Sequence, residues 1–316
     1  MGMMLAAPAG NDILFDDALC EQGRNFNNKI WNALRLVKGW DVSENVAQPD
    51  SAKIAISWFD ARLSEAIETL DDELDKYRIS EALMTVYKLF WDEFSSWYLE
   101  MIKPAYQQPI DARTYKSTLG FFEKLTLMLH PFMPFITEEV WQSVAERKPG
   151  ESIMVAQMPK AENKNEKIVS DFEIIKSIVA GVRSIRLERN IPNKESLVLN
   201  VVSGEHCDSY NAVIIKMCNL ESVMPADKDA AAASFMVGTA EYAVPLGGAI
   251  NVEEEIKKME EEIKYLQGFL NSVMIKLGNE KFVANAKPEV VENERKKQAD
   301  AESKIKTLRE GLSKLK

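Results

Sequence analysis

Three cysteines and two histidines are few ligands for a chain of 316 residues. Cys20, Cys207 and Cys218 lie far apart without a CxxC pair, so no structural zinc site is expected and free thiols in a reducing compartment are. The fourteen glycines are scattered, and Gly247-Gly248 stands alone, so no glycine-rich phosphate loop is present. Two histidines support no convincing Ser/His/Asp set. No apolar run reaches the roughly 20 residues that span a bilayer, and the longest candidate is cut by two prolines. The opening residues 1–8 are apolar but lack the basic start of a signal peptide. Excess positive charge is also missing: 39 Lys+Arg face 49 Asp+Glu, a net charge of −10. That argues against a nucleic-acid binder held by bulk charge, though not against a local basic face. The expectation is a soluble, cytoplasmic protein with no membrane contact and no covalent chemistry of its own.

What is present is organised around residues 125–144, LTLMLHPFMPFITEEVWQSV. This stretch is apolar on almost every side up to Ile136, so its helix is expected to be buried. Pro131 must break that helix, because it has no N–H and its ring clashes with the preceding turn. Pro134 suits the first turn of a new one, with Glu138 and Glu139 near its positive end. His130, beside the break, reads as a core histidine bonded to a freed carbonyl.

Five helices with short links then make a bundle. After a loop-like opening, the first covers 19–38, with Gly39 suiting its end. Asp50 can cap the second, whose stripe is Ile56, Phe59, Leu63, Ile67, Leu70 and Leu74. Ser80 can cap the third, with Leu83, Tyr87, Phe90, Phe94, Trp97 and Met101 inward. The fourth runs from about Asp111 to the Pro131 break, and the fifth covers 134–145.

Beyond Pro159 the pattern changes to a small α/β unit: helix 168–188, strand 196–203, helix 208–218, and weaker strands at 220–225, 234–237 and 241–246. Its sheet order is not legible. The last segment carries a heptad seam through Ile256, Met259, Ile263, Leu266, Leu270, Val273 and Leu277, stopped by Gly278-Asn279. Pro288 starts a second stretch whose seam is Val291, Ala301, Ile305, Leu308, Leu312 and Leu315, with Glu294 and Gln298 in two expected apolar slots. Two such stretches fold back as an antiparallel hairpin, with an intermolecular coiled coil as the alternative. The fold class is therefore mainly α. Its expected divisions are a loop at 1–18, a bundle at 19–160, an α/β subdomain at 161–248 and a coiled-coil arm at 249–316.

Acidic clusters such as Asp71-Asp72-Glu73 have an ordinary explanation as solvated faces. Binding signals are better. On the first helix Arg24, Asn25, Asn28, Lys29, Asn32 and Arg35 interleave with Phe26, Ile30, Leu34 and Val37, which must face the bundle. Lys29, Asn32 and Leu36 share one face. There, amides suit base edges, cations suit phosphates and an apolar side chain suits an unstacked base; a plain solvated face fits the same spacing. Residues 251–316 hold 14 Lys+Arg against 13 Asp+Glu, the least acidic part of the chain. Its cations gather around and after the turn, but mixed charge is ordinary for a coiled coil.

Four stretches carry a resemblance. RNFNNKIWNALRLVKGW (24–40), FWDEFSSWYLEMIKP (90–104), LMLHPFMPFITEEVWQ (127–142) and VPLGGAINVEEEIKKMEEEI…NEKFVANAKPEVVENERKK (244–297) resemble, in order, the C-terminal part of the valyl-tRNA synthetase family, class I aminoacyl-tRNA synthetases. The HPFMPF…TEE run is shared with leucyl and isoleucyl relatives. The stretch from Lys281-Phe282-Val283 to Pro288-Glu289-Val290-Val291 is more specific to valine. An isoleucyl relative would be expected to end in a cysteine zinc module, for which this chain has no cysteines.

The resemblance implies an anticodon-binding bundle followed by a tRNA-binding arm. On the bundle it implies contacts by Lys29, Asn32, Arg35 and Leu36, with Trp31 in the core or stacked on a base. On the arm it implies phosphate contacts by Lys281, Arg295 and Lys296, with help from Arg183 and Arg186. The partner is tRNA for valine, and the chain is expected to be monomeric. The family's His-Ile-Gly-His-like and Lys-Met-Ser-Lys-Ser-like signatures and its editing domain are missing. The chain is therefore expected to be an inactive fragment without cofactors, its parent enzyme using ATP and Mg²⁺ in missing N-terminal domains. Two other readings stay open: a helical scaffold that grips a protein through its coiled coil, and the matching region of an isoleucyl-type enzyme.

Overall fold

The computed structural model describes residues 1–6, 15–227, 232–246 and 252–278, with 291–295, 297–298, 301–302, 305 and 309. The chain divides into two compact units, Met1–Pro245 and Leu246–Lys316. Among the described residues no helix is long and apolar enough to cross a membrane.

The first unit begins with a helix where the sequence suggests a loop: α1 (Gly2–Leu5) packs on α2 (Asp17–Lys38). Gly2 lies so near α2 that a Cβ there would fall 1.7 Å from the Leu19 carbonyl oxygen. The apolar start thus has partners in this chain. The Asp16 carboxylate, accepting from the Ala18 N–H at 2.9 Å, caps α2 two residues before the expected start. Next come β1 (Val42–Ser43), α3 (Asp50–Asp75) and α4 (Ile79–Lys88). Asp50 is not a cap, since Pro49 holds that place; its carboxylate pairs with Lys53 instead. Likewise α4 starts one residue before Ser80, after Arg78.

The third helix departs most from expectation. Residues Leu89–Tyr98 form a π-helix, followed by α5 (Leu99–Ile102). Bonds from i to i+5 widen each turn, so a spacing of four keeps one face. Phe90, Phe94 and Tyr98 are all fully buried, and Tyr98 takes the inward place expected for Trp97. Phe94 meets the rings of Phe59, Phe90, Tyr98 and Phe122 at 4.9–5.5 Å. Aromatic pairs of this kind add about 0.5–1.5 kcal/mol beyond their buried area. This cluster is the bundle's centre.

A two-residue parallel ladder pairs β1 with β2 (Ile110–Asp111). It presents the Asp111 carboxylate to the Thr114 N–H at 2.8 Å, capping α6 (Ala112–Leu129). As expected, α6 ends before Pro131 and α7 (Pro134–Val144) restarts with Pro134 in its first turn. The His130 Nδ1 lies 2.8 Å from the Thr137 hydroxyl, whose own proton goes to the Met133 carbonyl. His130 is therefore the donor, and its partner is a hydroxyl instead of the expected freed carbonyl. Burial also stops short of Ile136, because Phe135 is 91% exposed.

Helix α8 (Glu166–Glu188) joins the bundle to a sheet. Phe172 stacks on Trp58 of α3 at 4.1 Å, and Lys176 bonds Glu93 of the π-helix at 3.2 Å. Further along, Gly181 is covered by Phe235; a Cβ would come 2.2 Å from that ring. The sheet contains β3 (Leu197–Ser203), β4 (Leu220–Pro225), β5 (Ala232–Val237) and β6 (Ala240–Pro245) in the order β4-β3-β6-β5. The β3–β4 pair is parallel, joined through α9 (Asn211–Cys218); the other pairs are antiparallel. The parallel pair needs a crossover, and α9 supplies it.

In the second unit α10 (Val252–Leu277) is the first helix of the arm. Among its described side chains from 260 onward, only Ile263, Leu266, Leu270, Val273 and Leu277 are shielded, which is the expected seam. Ile256 and Met259 lie outside the described side chains. Lys276 pairs at 3.8 Å with Glu294 of the following helical stretch, so the chain folds back on itself.

Candidate nucleic-acid interface

The face of α2 is set by its two-sided pattern. Phe26, Ile30, Leu34 and Val37 are buried as expected, which turns Asn28, Asn32 and Arg35 outward. Leu36 is exposed at 37% and Trp31 at 39%. Trp31 is therefore not a core residue; its position four before the exposed Arg35 places it on the open side. A tryptophan among polar outward positions was the available signal. Asn32, Arg35, Leu36 and Trp31 share this exposed side of α2.

Lys29 differs from its neighbours. It is half-buried, with Nζ 5.3 Å above the ring of Trp91, which stacks on Tyr87 at 5.7 Å. A cation over an aromatic ring near the surface contributes about 0.5–1 kcal/mol. A charge-assisted bond to an anion is worth about 1.5–3 kcal/mol. The ring thus holds the ammonium by less than a charge-assisted bond is worth.

The expected helpers on α8 divide. Arg183 is exposed, its guanidinium 5.7 Å from the ring of Trp97. Arg186 is 4% exposed and points inward. Its Nη1 donates to the Pro192 carbonyl at 3.0 Å, and its Nη2 to those of Glu195, Cys218 and Asn219 at 2.9, 2.8 and 3.2 Å. These carbonyls close the ends of α8 and α9. Arg186 is a fastening inside the fold and not a phosphate contact.

On the arm, Arg295 is exposed, whereas Lys281 and Lys296 lie outside the described residues. Glu294 fills an apolar slot of the seam and is 7% exposed. Lys297 at 2.8 Å and Lys276 at 3.8 Å supply its counter-charge. The hydrogen bond from Lys297 holds this carboxyl below the usual glutamate range. A second such carboxyl, Glu138 on α7, has neutral donors: Gln142, Ser152 and the Ile153 N–H. Among the described residues no cluster of three His, Cys, Asp or Glu could hold a metal ion.

Two family models match the chain. The anticodon-binding domain of tRNA ligase covers residues 57–202, and the valyl tRNA synthetase tRNA binding arm covers 251–316. The class is thus that of the tRNA ligases. Over its whole length the chain is 63% identical to valine--tRNA ligase of Parabacteroides distasonis, 60% to that of Phocaeicola vulgatus and 57% to that of Bacteroides thetaiotaomicron. The chain belongs to the valine--tRNA ligase family. It spans 36% of the length of these relatives. The anticodon-binding match begins within α3 and runs through α8 into β3, so α2 lies before it.

Proposed function

We propose that this chain is the tRNA-binding region of a valine--tRNA ligase, with the outer face of α2 reading the anticodon and the arm holding the outer corner of the tRNA. The observation that carries the reading is the joint exposure of Trp31, Asn32, Arg35 and Leu36 on a helix whose other face is fixed in the bundle. Asn32 offers an amide to a base edge, Arg35 and Lys29 offer charge to phosphates, and Trp31 with Leu36 offers a surface on which an unstacked base can rest. Arg295, Lys281 and Lys296 are the proposed phosphate contacts of the arm. The region works as a monomer in the cytoplasm. Joining valine to tRNA with ATP and Mg²⁺ belongs to the remaining length of the enzyme, since this sequence holds neither of the family's two ATP-site signatures.

Anisotropy titration with labelled tRNA for valine, with its own and with an altered anticodon, tests the reading at two salt concentrations. Binding should weaken with salt and with the altered anticodon. Trp31→Ala and Asn32→Ala should each remove most of the anticodon dependence while leaving the salt slope in place. Binding indifferent to the anticodon would sink the role of α2; no binding at low salt would sink the reading altogether.

A further inference from the structure

A cavity of about 680 Å³ opens between the C-terminal ends of α8 and α9, lined by Arg183, Arg186, Leu187, Asn190, Pro192 and Lys216, among others. Its size lies within the range of small-molecule sites. Three cations surround it, and among the described residues none of them makes an ion pair with a carboxylate. The partners of Arg186 are all carbonyls, and Lys216 donates to the Lys103 carbonyl at 2.8 Å. Glu100 is the acidic group whose charge Lys216 feels, and it lies 3.7 Å from Lys103 Nζ. Burial pushes the Cys218 thiol in the wall up to about 12, so it adds no negative charge at neutral pH. Glu195 acts on Arg186 as Glu100 does on Lys216, but neither carboxylate lines the cavity, so its own wall carries positive charge.

Its walls carry two further kinds of surface. Asn190, Asn193 and Asn219 contribute amides. The Asn219 amide nitrogen donates to the Asn193 and Glu195 carbonyls, which leaves its oxygen as an acceptor. Leu187, Pro192 and Met217 give an apolar side, with Leu187 exposed. Positive charge, amides and an apolar wall within one cavity match the three parts of a nucleotide: its phosphate, its base edges and its base face.

We infer that this cavity binds a nucleoside monophosphate unit, with the phosphate on Arg183 and Lys216 and the base against Leu187 and Pro192. None of its lining residues belongs to α2, and the inference does not rest on the reading of that helix. The unit can come from a free nucleotide or from an unstacked residue of an RNA strand. The test is anisotropy of fluorescein-labelled adenosine monophosphate and of a labelled single-stranded RNA pentamer on the whole chain. Wild type is compared with Arg183→Glu, Leu187→Asp and, as a control outside both sites, the exposed Glu146→Gln. Arg183 and Leu187 are exposed, and a circular dichroism melt checks that their variants fold.

Arg183→Glu should weaken both probes about tenfold, the value of one charge-assisted bond, and Glu146→Gln should leave both unchanged. Leu187→Asp should weaken the labelled monophosphate while inorganic phosphate competes less well than unlabelled adenosine monophosphate. A pentamer bound at least tenfold more tightly than the monophosphate assigns the site to an RNA strand; equal affinities assign it to a free nucleotide. Equal competition by inorganic phosphate would overturn the base-binding half. Binding of neither probe, or binding that Arg183→Glu leaves intact, would overturn the site.

Discussion

The bundle and the arm bury their apolar residues in different ways. In the bundle Phe59, Phe90, Phe94, Tyr98 and Phe122 meet from several helices and are fully enclosed. In the arm the shielded residues form a single seam: along α10 Val273 is buried and Ile263, Leu266, Leu270 and Leu277 are half-buried, with Ala301 and Ile305 buried in the following stretch. A three-dimensional core makes each residue expensive to lose, whereas a seam spreads modest contributions along its length. The same contrast holds for their depressed carboxyls, with neutral donors around Glu138 in the bundle and cations around Glu294 in the arm.

Four experiments test this contrast. Phe94→Ala should destabilise the first unit by about 3–5 kcal/mol, as expected for an enclosed aromatic, measured by urea denaturation. A loss below about 1 kcal/mol would make the core as forgiving as the seam. Gly181→Ala should cost about 1–3 kcal/mol through overpacking, because its Cβ would collide with Phe235. Combining it with Phe235→Leu should recover part of that cost in a double-mutant cycle. Asp111→Ala removes the cap of α6 and should cost about 1 kcal/mol, visible as a lower thermal midpoint.

The smallest effect concerns the two carboxyls. Both lie below the ordinary 4.5, so each stabilises its unit above that value and ceases to do so as pH falls through its own lower pKa. Salt should separate them. At 1 M, where the screening length is about 3 Å, the Glu294 ion pairs weaken while the Glu138 hydrogen bonds do not. The acid limb of the arm's transition should then flatten and that of the bundle persist, followed by circular dichroism of wild type, Glu138→Gln and Glu294→Gln. Equal salt sensitivity in both would erase the distinction.

Period and punctuation made most of the helices legible in advance. The start of α6 near Asp111, the Pro131 break and the seam at Ile263 to Leu277 are each set by neighbours within a turn or two, so local sequence suffices, although it put caps at Asp50 and Ser80 where Pro49 and Arg78 stand. The π-helix was not legible, because its i to i+5 bonding moves the inward place from Trp97 to Tyr98 without a marker residue. Trp58 was missed for a related reason: it lies beside the α3 stripe, and Phe172 of α8 stacks on it. Sheet order likewise depends on which edge meets α8. In the candidate interface, the outward placement of Asn32, Arg35 and Leu36 follows from the buried alternation of α2. The fates of Trp31, Lys29 and Arg186 depended on partners distant in sequence, or on their absence.

Helix α8 has a mechanical consequence. It is pinned to the bundle by Phe172 on Trp58 and Lys176 on Glu93, and to the sheet by Gly181 under Phe235. A rod held at both ends resists bending and passes a load along its length. A small tilt at Trp58 is therefore carried along the helix to Arg186, where one guanidinium gathers the ends of two helices. Strain arising in the bundle should reach the edge strand β4 with little loss, making bundle and sheet one elastic body.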